Sequence, residues 1–161
     1  MASEALSQLK ELALADSRRR HPTLPESARY IKPYSDKSAN QLTGAIIDWL
    51  RLNGHQGERI NCVGRAIDNT KIITDILGDS RHVGSVKWLP TSGQLGTADI
   101  SATININGVG RSVKIEVKMK DKQSEDQKRY QQAVERAGGL YWLVRSFDEF
   151  MELYNQLLLI T

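Results

Sequence analysis

The stretch Asp99-Ile100-Ser101-Ala102-Thr103-Ile104, followed further on by Val113-Lys114-Ile115-Glu116-Val117-Lys118, alternates polar with apolar residues without a break. A period of two marks strands with one buried face. Between the two runs, Asn107-Gly108 is the preferred pair for a two-residue type I′ hairpin turn, whose central residues both need positive φ. With the turn placed there, facing residues have numbers that sum to 215, so Ile100 faces Ile115, Ala102 faces Val113, and Asp99 faces Glu116. The small and apolar pairs then share one side. A one-residue slip would set Ile100 against Glu116 and bury charge.

Directly opposed residues have Cβ atoms roughly 4.5–5.5 Å apart, and like charges so placed repel. A divalent cation such as Mg²⁺ would offset that repulsion, because it takes one or two carboxylates, keeps several waters and binds substrate phosphate with its remaining positions. Strand periodicity puts Lys118 on the same face as Glu116. The plainer reading makes Asp99, Glu116, Lys114 and Lys118 the solvated face of an exposed hairpin with cross-strand ion pairs.

Outward from the hairpin, Leu6, Leu9 and Ala13 lie on one stripe of a helix over 3–17, which the run Arg18-Arg19-Arg20-His21-Pro22 ends. Residues 21–37 hold three of the four prolines and read as an irregular arm. The division expected is a helix and proline-containing arm over 1–37 and a domain over 38–161. Leu42, Ile46, Trp49 and Leu50 recur at helical spacing over 40–53, with Ser38 or Asn40 as cap and Gly54 as terminator. Residues 58–63 look strand-like, and 64–90 are too irregular to assign. Ser124-Glu125-Asp126-Gln127 has capping-box spacing, with Tyr130, Ala133, Val134 and Ala137 as the expected buried stripe and Gly138-Gly139 as the end. A short apolar strand over 140–144 and a second capping box, Ser146-Phe147-Asp148-Glu149, lead into a last helix facing inward through Phe150, Met151, Tyr154, Leu157 and Leu158. The fold class is α/β.

A chain of 161 residues has room for one compact domain, and 40% hydrophobic with 25% charged residues is ordinary for a globular protein. Net charge is only +3, which permits nucleic-acid binding without requiring it. The single cysteine, Cys62, forms no intramolecular disulfide, and no Cys/His spacing resembles a zinc site. Glu4, Lys10, Glu11 and Asp16 interrupt the N-terminal leucines, so neither a signal peptide nor a membrane span is expected and the cytoplasm is the expected compartment. His21, His55 and His82 are scattered and read as surface residues, and no phosphate-binding loop of the NTPase type occurs. Arg18, Arg19, Arg20, Arg59 and Arg65 are candidate phosphate contacts, with a solvated basic face as the default for each.

Taken in order, Gly96-Thr97-Ala98-Asp99-Ile100, Lys114-Ile115-Glu116-Val117-Lys118, Gln127 and Ala137-Gly138-Gly139-Leu140-Tyr141-Trp142-Leu143-Val144 resemble the PD-(D/E)XK nucleases, and most the VRR-NUC and Holliday-junction-resolvase-like branches. The resemblance spans about residues 38–150 and leaves out the arm and 64–90. It implies a restriction-endonuclease-like αβββαβ core with a mixed central sheet flanked by helices. It also implies that Asp99 and Glu116 bind Mg²⁺ or Mn²⁺ with the Val117 carbonyl as a further ligand, and that Lys118 positions or activates the attacking water. Gln127 corresponds to the family's helix glutamine, though it equally suits the N3 place of a capping box. Members commonly carry an acid near the start of the helix before the first strand; here Ala39-Asn40-Gln41 offers none, so Asn40 is either a neutral ligand or water anchor, or a helix cap. The function implied is metal-dependent hydrolysis of DNA phosphodiester bonds, branched DNA included, with RNA and a homodimer both compatible. The competing expectation is a nuclease fold kept for binding with catalysis lost.

Overall fold

The computed structural model describes residues 3–60, 64–89 and 93–159. These separate into two compact units, one formed by the chain up to Ile60 and from Gly96 onward, the other by the segment between. In chain order the elements are α1 (Glu4–Arg20), a 3₁₀ turn (Glu26–Ala28), α2 (Ala39–Leu52), β1 (Gln56–Arg59), β2 (Arg65–Asp68), β3 (Lys71–Thr74), β4 (Ser80–Val83), β5 (Val86–Leu89), β6 (Ile100–Ile106), β7 (Val109–Val117), α3 (Glu125–Arg136), β8 (Leu140–Val144) and α4 (Phe147–Leu159).

The larger unit is mixed α/β, with a four-stranded sheet in the order β1-β6-β7-β8. Its pairings are antiparallel except for β7 with β8, which run parallel. The hairpin has the register read from its alternation, Ile100 opposite Ile115 and Ala102 opposite Val113. Asn107 at φ 51° and Gly108 at φ 86° form the turn, and the Asn105 side-chain oxygen accepts from the Gly108 N–H at 2.9 Å. Period two then decides the layers. Ile100, Ala102, Ile104, Val113, Ile115, Val117, Trp142 and Val144 all enter one core with α1, α2 and α4.

That core reaches further toward the N-terminus than the boundary at 38 expected from sequence, since Leu6 and Leu9 of α1 are buried in it beside Leu42, Ile46 and Leu50. An amphipathic helix has to cover its apolar stripe, and α2 and α4 supply the cover. The following arm is organised by Arg29, whose nearly buried guanidinium donates to the carbonyls of Ser17 at 2.9 Å, His21 at 2.8 Å and Leu24 at 2.7 Å. The Ser17 and His21 carbonyls already accept the His21 and Leu24 N–H groups, so Arg29 adds a second, charged donor that ties the end of α1 to the turn after it. Further along, Tyr34 donates to Asp48 at 3.1 Å and the Asp36 carboxylate accepts the Phe147 N–H at 3.2 Å.

Both glycine-terminated helices close in the same way. Gly54 N–H meets the Arg51 carbonyl and His55 N–H the Leu50 carbonyl, while Gly138 and Gly139 do so with Glu135 and Val134. Each is a Schellman motif with a positive-φ glycine, at 78° for Gly54 and 82° for Gly138. The strand expected over 58–63 lies earlier, over Gln56–Arg59, and its last three residues, Cys62 among them, lie outside the described residues. The stripe expected to be buried on α3 is not: no residue of that helix is fully buried, and Ala133 and Ala137 are exposed. The reason is placement, because α3 covers β8 at the edge of the sheet and leaves the centre of that face open.

His55, expected at the surface, is half-buried. The turn after α2 brings its Nε2 to 2.8 Å from the Tyr154 hydroxyl, and its Nδ1 accepts the Asn105 N–H at 3.3 Å. An accepting Nδ1 requires the neutral ring, and burial holds the pKa below the ordinary histidine value. Because the folded form resists protonation more than the unfolded chain, this contribution is present above about pH 6.5 and is lost as pH falls through the folded value. Urea midpoints at pH 7.5 and pH 5 should therefore differ more in the parent than in His55→Gln, whose amide can keep both contacts without titrating. Equal differences would put the pH dependence elsewhere. No helix among the described residues is long and apolar enough to cross a membrane.

Candidate active site

On the face of the sheet opposite the core, the strand period presents Ser101, Lys114, Glu116 and Tyr141, with Asp99 and Lys118 at the strand ends. Lys114 reaches across the ladder and donates to the Ser101 hydroxyl at 2.6 Å. The ladder itself stops one rung short of Asp99 and Glu116, because the Asp99 carboxylate takes the Val117 N–H at 3.0 Å. The Asp99 backbone carbonyl accepts from Ile60 at 2.8 Å and so fixes the other side of the strand.

Glu116 is the buried centre of the site, at 2% exposure. One of its oxygens, Oε1, accepts from Lys118 Nζ at 3.2 Å and from the Gln127 side-chain amide. The other, Oε2, is buried with no hydrogen-bond partner among the described residues. Burial, and then the neighbouring Asp99 carboxylate, push the Glu116 pKa upward, against the opposing pull of Lys118 and Gln127. An orphaned buried carboxylate oxygen beside a second carboxylate is the arrangement that a divalent cation relieves. Asp99 and Glu116 thus fit a cation, with the Val117 peptide adjoining both. Among the described residues no third His, Cys, Asp or Glu completes a metal-binding group.

Gln127 both closes the capping box and reaches Glu116. Its N–H donates to the Ser124 hydroxyl at 3.2 Å and its side-chain oxygen accepts the Ser124 N–H at 3.0 Å, which completes the capping box. The free amide nitrogen is then aimed at Glu116. What places the start of α3 there is Gly96, at φ 77°, whose backbone lies so close that a Cβ would collide with the Asp126 carbonyl and the Gln127 amide.

Asn40 is not the cap of α2; Ser38 is, accepting from the Gln41 N–H, and Asn40 lies one residue inside the helix. Ser38 precedes the first helical residue, and only there does a side-chain oxygen reach the free amides of the first turn. The Asn40 oxygen instead accepts from Arg59 at 2.8 Å, and no described hydrogen bond joins Asn40 to Asp99 or Glu116. Arg59 is accordingly held by α2 at the end of β1, and Arg65 belongs to the other unit, in β2.

Compared with protein-family models, with curated proteins and with solved structures, the chain finds no match.

Tyr141 has no role assigned to it in the sequence, where it is one residue of a short apolar strand. In the fold it pairs with Lys114 through the parallel register and lies against Tyr130 of α3, rings at 6.3 Å. Burial first and the Glu116 carboxylate second push its pKa up to about 12, so the phenol stays protonated at any working pH. Only a β7–β8 parallel pairing, with no signature in either strand alone, would have revealed it. An open cleft of about 850 Å³ lies elsewhere, between α1, the arm and α2, and holds none of these residues.

Proposed function

We propose that the chain is a divalent-metal-dependent nuclease of the PD-(D/E)XK class that hydrolyses DNA phosphodiester bonds, with Mg²⁺ or Mn²⁺ held by Asp99, Glu116 and the Val117 carbonyl. The observation that carries the reading is the unpartnered Glu116 Oε2 beside Asp99, with Lys118 and Gln127 gathered on the opposite oxygen. The order of α2, β1, β6, β7, α3 and β8, with the last strand parallel, supports a restriction-endonuclease-like core.

When bound, the cation would lower the pKa of an attacking water and neutralise charge developing on phosphoryl oxygens. Lys118, held at Glu116 Oε1, orients that water and adds positive charge where the transition state is most anionic. Gln127 fixes Glu116 in place, and the Val117 N–H fixes Asp99. The absence of an acid at the start of α2 favours a second reading, a nuclease fold kept for binding alone, since the Asn40 oxygen is taken by Arg59.

Metal response and cleavage separate the two. Mg²⁺ or Mn²⁺ should raise the melting temperature by binding the folded state, by about 2–4 °C for each 1 kcal/mol of linkage, and Asp99→Ala should abolish the rise. Cleavage is read on duplex, single-stranded and branched DNA and on RNA. A metal response that survives Asp99→Ala moves the site elsewhere; a normal response with no cleavage of any substrate leaves the binding reading.

A further inference from the structure

Residues 64–89 carry no core of their own size: Ile72, Val86 and Trp88 are 59–65% exposed, and every residue of β3 and β4 is exposed. The two strand pairs are nonetheless one structure. From Arg65 opposite Leu89 to Asp68 opposite Val86, and again from Lys71 opposite Val83 to Thr74 opposite Ser80, facing numbers always sum to 154. The Asn69 N–H to Ser85 carbonyl bond bridges the gap in the same register. Residues 65–74 and 80–89 are therefore a single antiparallel ribbon about 33 Å long.

A single register sorts the side chains by parity. On the odd face lie Arg65, Lys71, Arg81 and Lys87, which are all the lysines and arginines of the ribbon, and no acid. Asp68 falls on the even face, where it accepts from Thr70 at 2.6 Å, and Thr74 meets Ser80 there at 2.7 Å, contacts that parity requires. Asp75 and Asp79 continue the register at the tip, the Asp75 N–H donating to the Asp79 carbonyl at 2.9 Å, so parity puts them at the far end of the odd face, where the Asp75 carboxylate accepts the Leu77 and Asp79 N–H groups. None of the four cations enters an ion pair among the described residues, and all four are exposed. Along the paired strands these four cations share their face with no acid, and that stretch is a surface for a regularly spaced polyanion.

We propose that the odd face of this ribbon docks on duplex DNA. The ribbon's length matches about one helical turn, and a major groove about 12 Å wide admits a two-stranded β-ribbon. The deep, narrow major groove of double-stranded RNA does not. The proposal gives the nuclease reading its substrate form and rests on that reading only for the partner being a nucleic acid.

Binding is measured without divalent metal, on the Asp99→Ala background, with a mixed-sequence 24-base-pair DNA duplex, the same sequence as duplex RNA, and one DNA strand alone. Lys71→Ala with Arg81→Ala should weaken duplex DNA binding and lower the slope of log K against log salt by about 2, because each neutralised phosphate contributes about 0.9. Thr70→Ala with Ser80→Ala on the even face should change neither. Circular dichroism and melting of each variant check that the fold persists. An unchanged slope in the odd-face variant, an equal loss in the even-face variant, or tighter binding to duplex RNA overturns the proposal. So does self-association through Ile72, Val86 and Trp88 of the even face that alone accounts for DNA retention. Since cleavage by the parent is read separately, duplex binding by the ribbon with no cleavage of any substrate would sink the nuclease reading and leave this one standing.

Discussion

Replacing Lys118 by alanine is expected to slow phosphodiester cleavage by about 10²–10⁴-fold, the range for losing a positioned proton-transfer or charge-stabilising group. Mg²⁺ should still raise the melting temperature of this variant. The split follows from where Lys118 sits. Its ammonium occupies Glu116 Oε1 at 3.2 Å, as a competitor for the carboxylate and not a ligand of the cation. Its removal leaves Oε1 to the Gln127 amide and takes nothing from Asp99 or Oε2. Single-turnover rates give the chemistry, and thermal melting with and without Mg²⁺ gives the binding. A variant that cuts at the parent rate while Asp99→Ala is dead would show that the lysine has no part in the reaction.

Glu116→Gln should have opposite effects on activity and stability. Cleavage should vanish together with the metal response, yet the metal-free protein should melt about 2–4 °C higher, the shift that roughly 1 kcal/mol produces in a domain of this size. The sign comes from the raised Glu116 pKa. A carboxyl whose folded value lies above its unfolded one favours folding while protonated, and that contribution is lost as pH rises through the folded value. At neutral pH, without metal, the ionised Glu116 faces burial and the Asp99 charge together. A neutral amide escapes both and can still accept from Lys118 and Gln127 through its oxygen. The stability gap between variant and parent should narrow toward pH 4. A Glu116→Gln protein less stable than the parent at neutral pH without metal would mean that Lys118 and Gln127 outweigh the burial and the neighbouring charge.

The hairpin was legible because its determinants are local. Period two, an Asn-Gly turn and the cost of burying Glu116 on the wrong face admit one register, and the structure has it. The first capping box and the glycine stops are likewise short-range, and Gln127 could be placed from Ser124 alone, whereas in the second expected box the Glu149 carboxylate accepts from the Arg145 N–H and only the Ser146 half forms. What sequence did not disclose depends on partners distant along the chain. Leu6 and Leu9 form the same stripe whether a helix stands alone or packs, so only α2 and α4 reveal that α1 belongs to the core. Ala133 and Ala137 keep helical spacing though α3 lies at the sheet edge, where little covers them. His55 has no sequence signal for its place between Asn105 and Tyr154. The ribbon was opaque because its strands bury almost nothing, and hydrophobic alternation reports burial, not pairing.

The contact between Gly96 and the first turn of α3 bears on how such a site can change over generations. The separation of the Gln127 amide from Glu116 is set at a position with no side chain, and the smallest available replacement, alanine, is already too large there. Residue size at 96 therefore offers no graded series through which drift could adjust that separation. Any substitution arrives as a whole displacement of the helix start, so variation in the reach of Gln127 has to come from residues on α3 itself or from the length of the segment between β7 and α3.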